Sequence, residues 1–147
     1  MAIGLRKFFR KAADQAVAAS TTLVDCTDLA IPVAVGQKVH LRMFIPFTVG
    51  ATGGFKFQLV DPGSSNFRVS FTAIDGVTAA PGSQVSIVQA VSAAFANAWA
   101  VAGTHQMIIE GEVIVTTAGS LKLQMACNSA ANSITVLKGA SIDVTIL

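Results

Sequence analysis

The chain has 147 residues, of which 52% are apolar and 12% charged, and its formal net charge is +2. This length predicts one domain with a sizeable core, and ordinary soluble domains carry about 25% charged residues, so the surface is short of charge. Four of the ten basic residues lie within the first eleven positions, and the remainder holds six basic and eight acidic residues, a net charge of −2. The domain therefore lacks the basic surface of a nucleic-acid-binding protein.

The shortage of charge has two possible explanations. The first is that copies of the chain bury part of their surface against one another. The second is a membrane protein, but no run approaches the roughly 18–20 uninterrupted apolar residues of a spanning helix. A secretory signal is not expected either, because no apolar segment of about 7–15 residues follows the basic start. We expect a protein that stays in the cytoplasm until it assembles.

Residues 1–20 are predicted to form a separate amphipathic segment, a short helix or an arm that becomes helical on docking. Apolar residues recur there at helical spacing, at Leu5, Phe8, Phe9, Ala12, Ala16 and Val17. A helix this short is marginal alone in water, so it is expected to need a partner surface. Two alternatives are a leader packed on its own domain and a helix lying on a lipid surface.

Residues 21–147 are predicted to form an all-β domain. Alternating apolar residues indicate strands at 23–26, 29–35, 39–47, 55–59 and 67–74, and a further strand is possible at 84–88. Residues 90–102 fit either a strand-loop-strand crossing or a short helix. Three or four strands follow in residues 108–147, separated by small-residue turns. About eight to ten antiparallel strands with regularly spaced turns indicate a sandwich or a barrel.

Candidate catalytic residues are few. His40 and His105 each lie in or beside a predicted strand, with no cluster of chemical groups around them in sequence. Glu110 and Glu112 share one strand face, which favours a solvent face, or one side of an intersubunit salt bridge, over calcium binding or acid–base catalysis. The glycine-rich residues 50–54 precede a strand, whereas a phosphate-binding loop opens a helix. We therefore expect no enzyme, no cofactor and no metal site.

The two cysteines leave the redox state open. Cys26 and Cys127 lie about a hundred residues apart and lack the spacing of metal ligands. Buried free thiols are the simpler expectation, and a disulfide between neighbouring strands is the alternative.

Four segments together resemble a known family. They are VHLRMFIPF (39–47), GATGGFKFQLVDPG (50–63), MIIEGEVIVTTAGSLKLQMACNSA (107–130) and SITVLKGASIDVTIL (133–147). Their order resembles the small jelly-roll domains of bacteriophage virion proteins, which are similar in architecture to the tumour-necrosis-factor and complement globular heads. The resemblance implies a jelly-roll sandwich that forms a homotrimer through one apolar sheet face. It also implies a role either as a capsid decoration (cement) protein or as the head of a fibre.

The first residues favour the decoration role. A fibre head is expected to follow a long shaft, whereas a decoration protein needs a compact oligomer and a short arm. We therefore expect a virion protein, made in the host cytoplasm, that clamps the major capsid protein without contacting nucleic acid or membrane. The predicted capsid-anchoring residues are Leu5, Arg6, Lys7, Phe8, Phe9, Arg10 and Lys11. The alternatives are a receptor- or glycan-binding tail head using loops 61–66 and 128–132, a cytokine-like ligand, and an enzyme of another type.

Overall fold

The computed structural model describes residues 4–50, 54–62, 68–74, 84–90, 94–97 and 102–147. These residues contain twelve strands and no helix, and so none that could span a membrane. The strands are β1 (Leu5–Arg10), β2 (Gln15–Ala18), β3 (Val24–Val33), β4 (Lys38–Val49), β5 (Phe55–Val60), β6 (Arg68–Ile74), β7 (Gln84–Ala90), β8 (Phe95–Asn97), β9 (Gly103–Ile114), β10 (Gly119–Cys127), β11 (Ser133–Val136) and β12 (Ser141–Ile146).

The strands form two antiparallel sheets that pack as a sandwich, which confirms the predicted all-β class. The larger sheet has the order β1-β12-β4-β9-β6-β7, with β11 paired to β4 and β2 paired to β11. The smaller sheet has the order β3-β10-β5-β8. Four of the pairs are nested in sequence: β1 pairs with β12, β3 with β10, β4 with β9 and β5 with β8. The hairpin β6–β7 extends the larger sheet beyond β9.

The core lies between the two sheets, because each long strand buries every second side chain. In β4 the buried side chains are Val39, Leu41, Met43, Ile45, Phe47 and Val49. Phe47 reaches the smaller sheet, where its ring centroid lies 4.8 Å from that of Phe55 and 5.1 Å from that of Phe57. Both contacts are edge-to-face, a favourable geometry for aromatic rings. Phe71 and Phe95 make a second contact between the sheets, with centroids 5.8 Å apart.

The first twenty residues contain strands where a helix was expected. β1 pairs with β12 along six residues, and β2 pairs with β11 along four. Leu5 and Phe9 lie four residues apart, a spacing that fits one face of a strand as well as one face of a helix. The decisive factor is β12, whose outer N–H and C=O groups need a partner that an extended segment can supply and a helix cannot.

β3 is a single strand where the sequence predicted two, at 23–26 and 29–35. A bulge in β3 separates the two predicted segments. The register of β10 against β3 shifts between Lys122, opposite Ala30, and Gln124, opposite Asp25. One residue of β10 therefore faces the four residues 26–29 of β3, and we call these four the β3 bulge. Asp28 has a φ of 65°, a left-handed conformation that Asp tolerates better than most residues.

The region that was hardest to predict is also extended where it is described. β7 (Gln84–Ala90) confirms the strand predicted at 84–88. Within residues 90–102, the structure has the short strand β8 (Phe95–Asn97) in place of a helix. Phe67 and Trp99 lie outside the described residues.

Candidate functional site

The inner face of β1 carries three of the seven predicted anchoring residues. Leu5, Lys7 and Phe9 stand opposite residues 146, 144 and 142 of β12, which are buried, and directly paired residues share a face. Phe9 is half-buried and packs against the core. Leu5 lies at the free edge of the sheet and remains 58% exposed. This face attaches β1 to the domain, mainly through Phe9.

The outer face of β1 carries Arg6, Phe8 and Arg10, and all three are exposed. Phe8 is 64% exposed, and it stands opposite Asp143 of β12. The sheet order places β1 at the edge, so its second side pairs with no strand among the described residues. An exposed aromatic ring between two arginines is an arrangement that suits the burial of β1 against another protein.

Ion pairs continue from β1 across the outer face of the larger sheet. Arg6 binds Asp143 through two hydrogen bonds, and Arg42 Nε lies 2.7 Å from Glu110 Oε1. Glu112 lies 2.8 Å from Lys38 Nζ and 3.2 Å from His40 Nε2. We call this set of ion pairs the charge ladder. Its charges are largely exposed and screened by solvent, so each pair is expected to contribute little to stability.

Two carboxyl groups of the charge ladder have lowered pKa values. The side-chain hydrogen bond from Arg6 holds the pKa of Asp143 below its usual value, and the charges of Arg6 and Arg42 lower it further. The side-chain hydrogen bond from Lys38 lowers the pKa of Glu112 in the same way. Both carboxylates therefore remain ionised at neutral pH and keep the ladder intact.

A shallow groove of about 310 Å³ lies on this face beside the charge ladder. Its lining residues are Arg42, Met43, Phe44, Ile108, Ser141 and Asp143. Phe44 is exposed, so this part of the outer face combines an aromatic ring with charged groups. Among the described residues, neither outer sheet face is uniformly apolar, since charged side chains interrupt both.

Lys11, the last of the predicted anchoring residues, points into the domain and is only 2% exposed. Its Nζ donates to Thr27 Oγ1 at 2.7 Å, to the Thr27 carbonyl oxygen at 3.0 Å and to Gln15 Oε1 at 2.8 Å. The amide of Ala12 donates to Asp28 Oδ2 at 3.2 Å. Lys11 thus fixes the end of β1 to the β3 bulge, where it has no surface to offer a partner.

Cys26 lies in the β3 bulge, and burial raises the pKa of its thiol to about 12. The nearby Lys11 charge lowers that pKa by a smaller amount. Both Cys26 and Cys127 are buried free thiols, so the disulfide alternative is wrong. A buried, protonated thiol is a poor nucleophile and packs as a small apolar group.

The other candidate groups lie apart from β1 or within the core. Glu110 and Glu112 are the acidic members of the charge ladder on a solvent-facing side of their strand, and their ion pairs are formed within the chain, whereas the predicted salt bridge was between subunits. His105 is buried with its ring 5.6 Å from that of Phe47. No group of three potential metal ligands occurs in the part of the chain that the structure describes. The glycine-rich loop joins β4 to β5, but residues 51–53 lie outside the described ranges.

Sequence reasoning selected the segment that contains β1, but it predicted a helix there and missed the residues that surround the strand. Asp143, Arg42 and Phe44 occupy outward positions of their strands, which the alternation in β4 and β12 indicated. Their proximity to β1 depends on which strands are neighbours in the sheet, and alternation within one strand contains no information on this.

Comparison of the chain with protein-family models, with curated proteins and with solved structures gave no match. The function is therefore argued from the geometry of β1 and its neighbours.

Proposed function

We propose that this protein is a structural component of a bacteriophage particle, a decoration protein that binds the capsid shell through the outer face of β1. The nested pairing supports a jelly roll, because a jelly roll is a long antiparallel hairpin rolled into two sheets. Here the rolled hairpin runs from the β1–β12 pair inward to the β5–β8 pair. Jelly rolls are frequent among viral capsid proteins, and the four resembling segments favour the same class.

The observation that carries this proposal is the exposure of Phe8 on an edge strand that the domain itself holds in place. Fully burying a phenylalanine contributes about 1.5–3 kcal/mol, so its exposure in the free protein favours a binding role. Arg6 and Arg10 lie beside it on the same face, where they suit an acidic shell surface. We therefore propose that four of the seven predicted anchoring residues contact the shell, namely Leu5 and the outward side chains Arg6, Phe8 and Arg10. Lys11 instead stabilises the fold.

Decoration requires no turnover. An oligomer that contacts several shell subunits adds several weak contacts together, and multivalent attachment exceeds the affinity of any one contact. The resemblance predicts three copies. That number stays a prediction, and mass measurement of the free protein tests it.

The experiment is co-sedimentation of the purified protein with undecorated capsids of the parent virus, comparing wild type with Phe8→Ser. Loss of about 1.4 kcal/mol or more of binding free energy weakens affinity at least about tenfold, and Phe8→Ser is expected to reach this. The matched control is Val35→Ser, since Val35 is 65% exposed in the turn between β3 and β4. The control should bind like wild type.

Equal binding by wild type and Phe8→Ser would contradict the proposal for β1. Adherence of the free protein to host cells, with no binding to capsids, would favour the tail-head alternative. Deleting residues 1–20 is a weaker test, because it also disturbs the fold. The deletion removes β1 and β2, exposes the edge of β12 and removes the Lys11 hydrogen bonds to the β3 bulge.

A further inference from the structure

A second surface feature lies at the end of β1, separate from Phe8. A cleft of about 460 Å³ opens there, lined by Arg10, Lys11, Ala12, Lys138 and Gly139. Three of these five residues are basic, whereas the groove beside the charge ladder contains an acidic residue, Asp143, together with Arg42. We call this feature the basic cleft.

The cations of the basic cleft differ from those of the charge ladder in their contacts. Within the described residues, the side chains of Arg10 and Lys138 form no ion pair, while Arg6, Arg42 and others on the sheet faces do. Lys11 donates only to uncharged oxygens of Thr27 and Gln15. Its charge lies behind the cleft with no carboxylate bound to it, so it adds a positive potential that solvent screens poorly.

Two carboxylates lie close to the cleft, and both are already engaged. Asp28 Oδ2 accepts the backbone amide of Ala12 at 3.2 Å. Asp14 Oδ1 accepts the backbone amide of Lys138 at 2.7 Å. This bond fixes the turn between β11 and β12 without pairing with the Lys138 ammonium. Two acidic groups thus stand beside three basic ones, and the cleft keeps an excess of one positive charge.

The backbone around the cleft is held by hydrogen bonds. The Gly139 amide donates to the Lys11 carbonyl at 3.0 Å, and the Lys11 amide donates to the Ala140 carbonyl at 2.8 Å. Gly139 has a φ of 90°, and a Cβ placed there would lie 3.5 Å from Arg10 Nη2. The guanidinium of Arg10 therefore lies close to the turn. Groups held on a fixed backbone lose less entropy when they bind an anion.

We propose that the basic cleft binds a carboxylate of an acidic protein segment, with Arg10 and Lys138 as its direct partners and Lys11 as a fixed charge behind them. The guanidinium can bind a carboxylate through two parallel hydrogen bonds, which a lysine alone does not offer. The inference rests on the proposed function only in assigning that segment to a capsid protein. Carboxylate binding itself is testable with the isolated chain.

The test is an NMR titration of the full chain with a hexaglutamate peptide at low salt, with hexaglutamine as the uncharged probe. Hexaglutamate should shift the amide signals of residues 10–12 and 137–140 saturably, and hexaglutamine should not. The double variant Arg10→Gln with Lys138→Gln should weaken the affinity for hexaglutamate at least about tenfold, since it removes both charged hydrogen-bond donors that contact the carboxylate. The control, Lys56→Gln with Lys122→Gln, removes two cations from the other sheet and should change affinity less than about twofold.

Three results would overturn the inference. The first is an equal loss of affinity in both double variants, which would mean attraction by net charge alone. The second is a set of shifts that maps away from the cleft. The third is tighter binding of inorganic phosphate than of hexaglutamate at matched ionic strength, which would reassign the cleft to phosphate. Because no capsid is used, failure here leaves the sedimentation test of Phe8 unaffected.

Discussion

β1 and β12 are neighbours in one sheet, yet they differ in how much of their surface the domain buries. β12 has a strand on both sides and buries Ile142, Val144 and Ile146. β1 has a strand on one side only, and Phe8 and most of its charged side chains are exposed. Their pairing is regular along six residues, so the difference lies in their surroundings. β12 stabilises the domain, and it holds β1 with an exposed outer face, through which we propose that the protein binds its partner.

A matched pair of truncations tests this division most directly. Ile142→Ala removes a fully buried side chain and should lower the free energy of unfolding by about 2–5 kcal/mol. Phe8→Ala changes an exposed residue and should alter that free energy by less than about 0.5 kcal/mol. Urea denaturation of both variants gives the two values. Similar losses in the two variants would show that β1 is part of the stabilising core.

A substitution of Lys11 tests whether this residue fixes β1 to the domain. Lys11→Met keeps a long, unbranched side chain, shorter by one atom, but removes the three hydrogen bonds of Lys11, two of which go to Thr27. Losing the hydrogen bonds of a charged donor that is itself buried should cost about 1–3 kcal/mol. The control, Lys122→Met, breaks an exposed pair with Asp25 and should cost less than about 1 kcal/mol. Urea denaturation measures both, and equal stabilities would remove Lys11 from the account of how β1 is held.

The strands with one buried face were predictable from sequence. The segment 39–47 alternates apolar and outward residues, and the structure has β4 there with the predicted residues buried. The same kind of alternation predicted three or four strands in the last part of the chain, where the structure has four, β9 to β12. A period of two specifies both the strand and the face that is buried, because a shift of one residue would expose every apolar side chain.

The environment of β1 was not predictable in the same way. Leu5 and Phe9 fit two periods, and the preference for a strand comes from β12, whose paired residues lie more than a hundred positions away. Arg10 and Lys11 are adjacent basic residues, yet one is exposed and the other is buried. What separates them is the β3 bulge, which supplies the oxygens that Lys11 needs. That information lies in another part of the chain.

The smallest expected effect on stability comes from the ion pair between Arg6 and Asp143, which joins the outer faces of β1 and β12. Asp143 has a lowered pKa in the folded protein, so the stability that this pair adds is present above the unfolded value of about 3.9. That stability is lost as the pH falls through the folded pKa, because protonation removes the partner of Arg6.

Arg6→Gln should therefore raise the pKa of the Asp143 carboxyl towards its ordinary value, although Arg42 will keep part of the lowering. Carbon-detected NMR of that carboxyl over an acid titration measures the change. Lys122→Gln, which acts on Asp25 in the other sheet, should leave it unaltered. An unchanged titration in Arg6→Gln would mean that Arg42 alone acts on Asp143. β1 would then be fixed to the domain through Phe9 and Lys11, and its outer face would be free of attachments to β12.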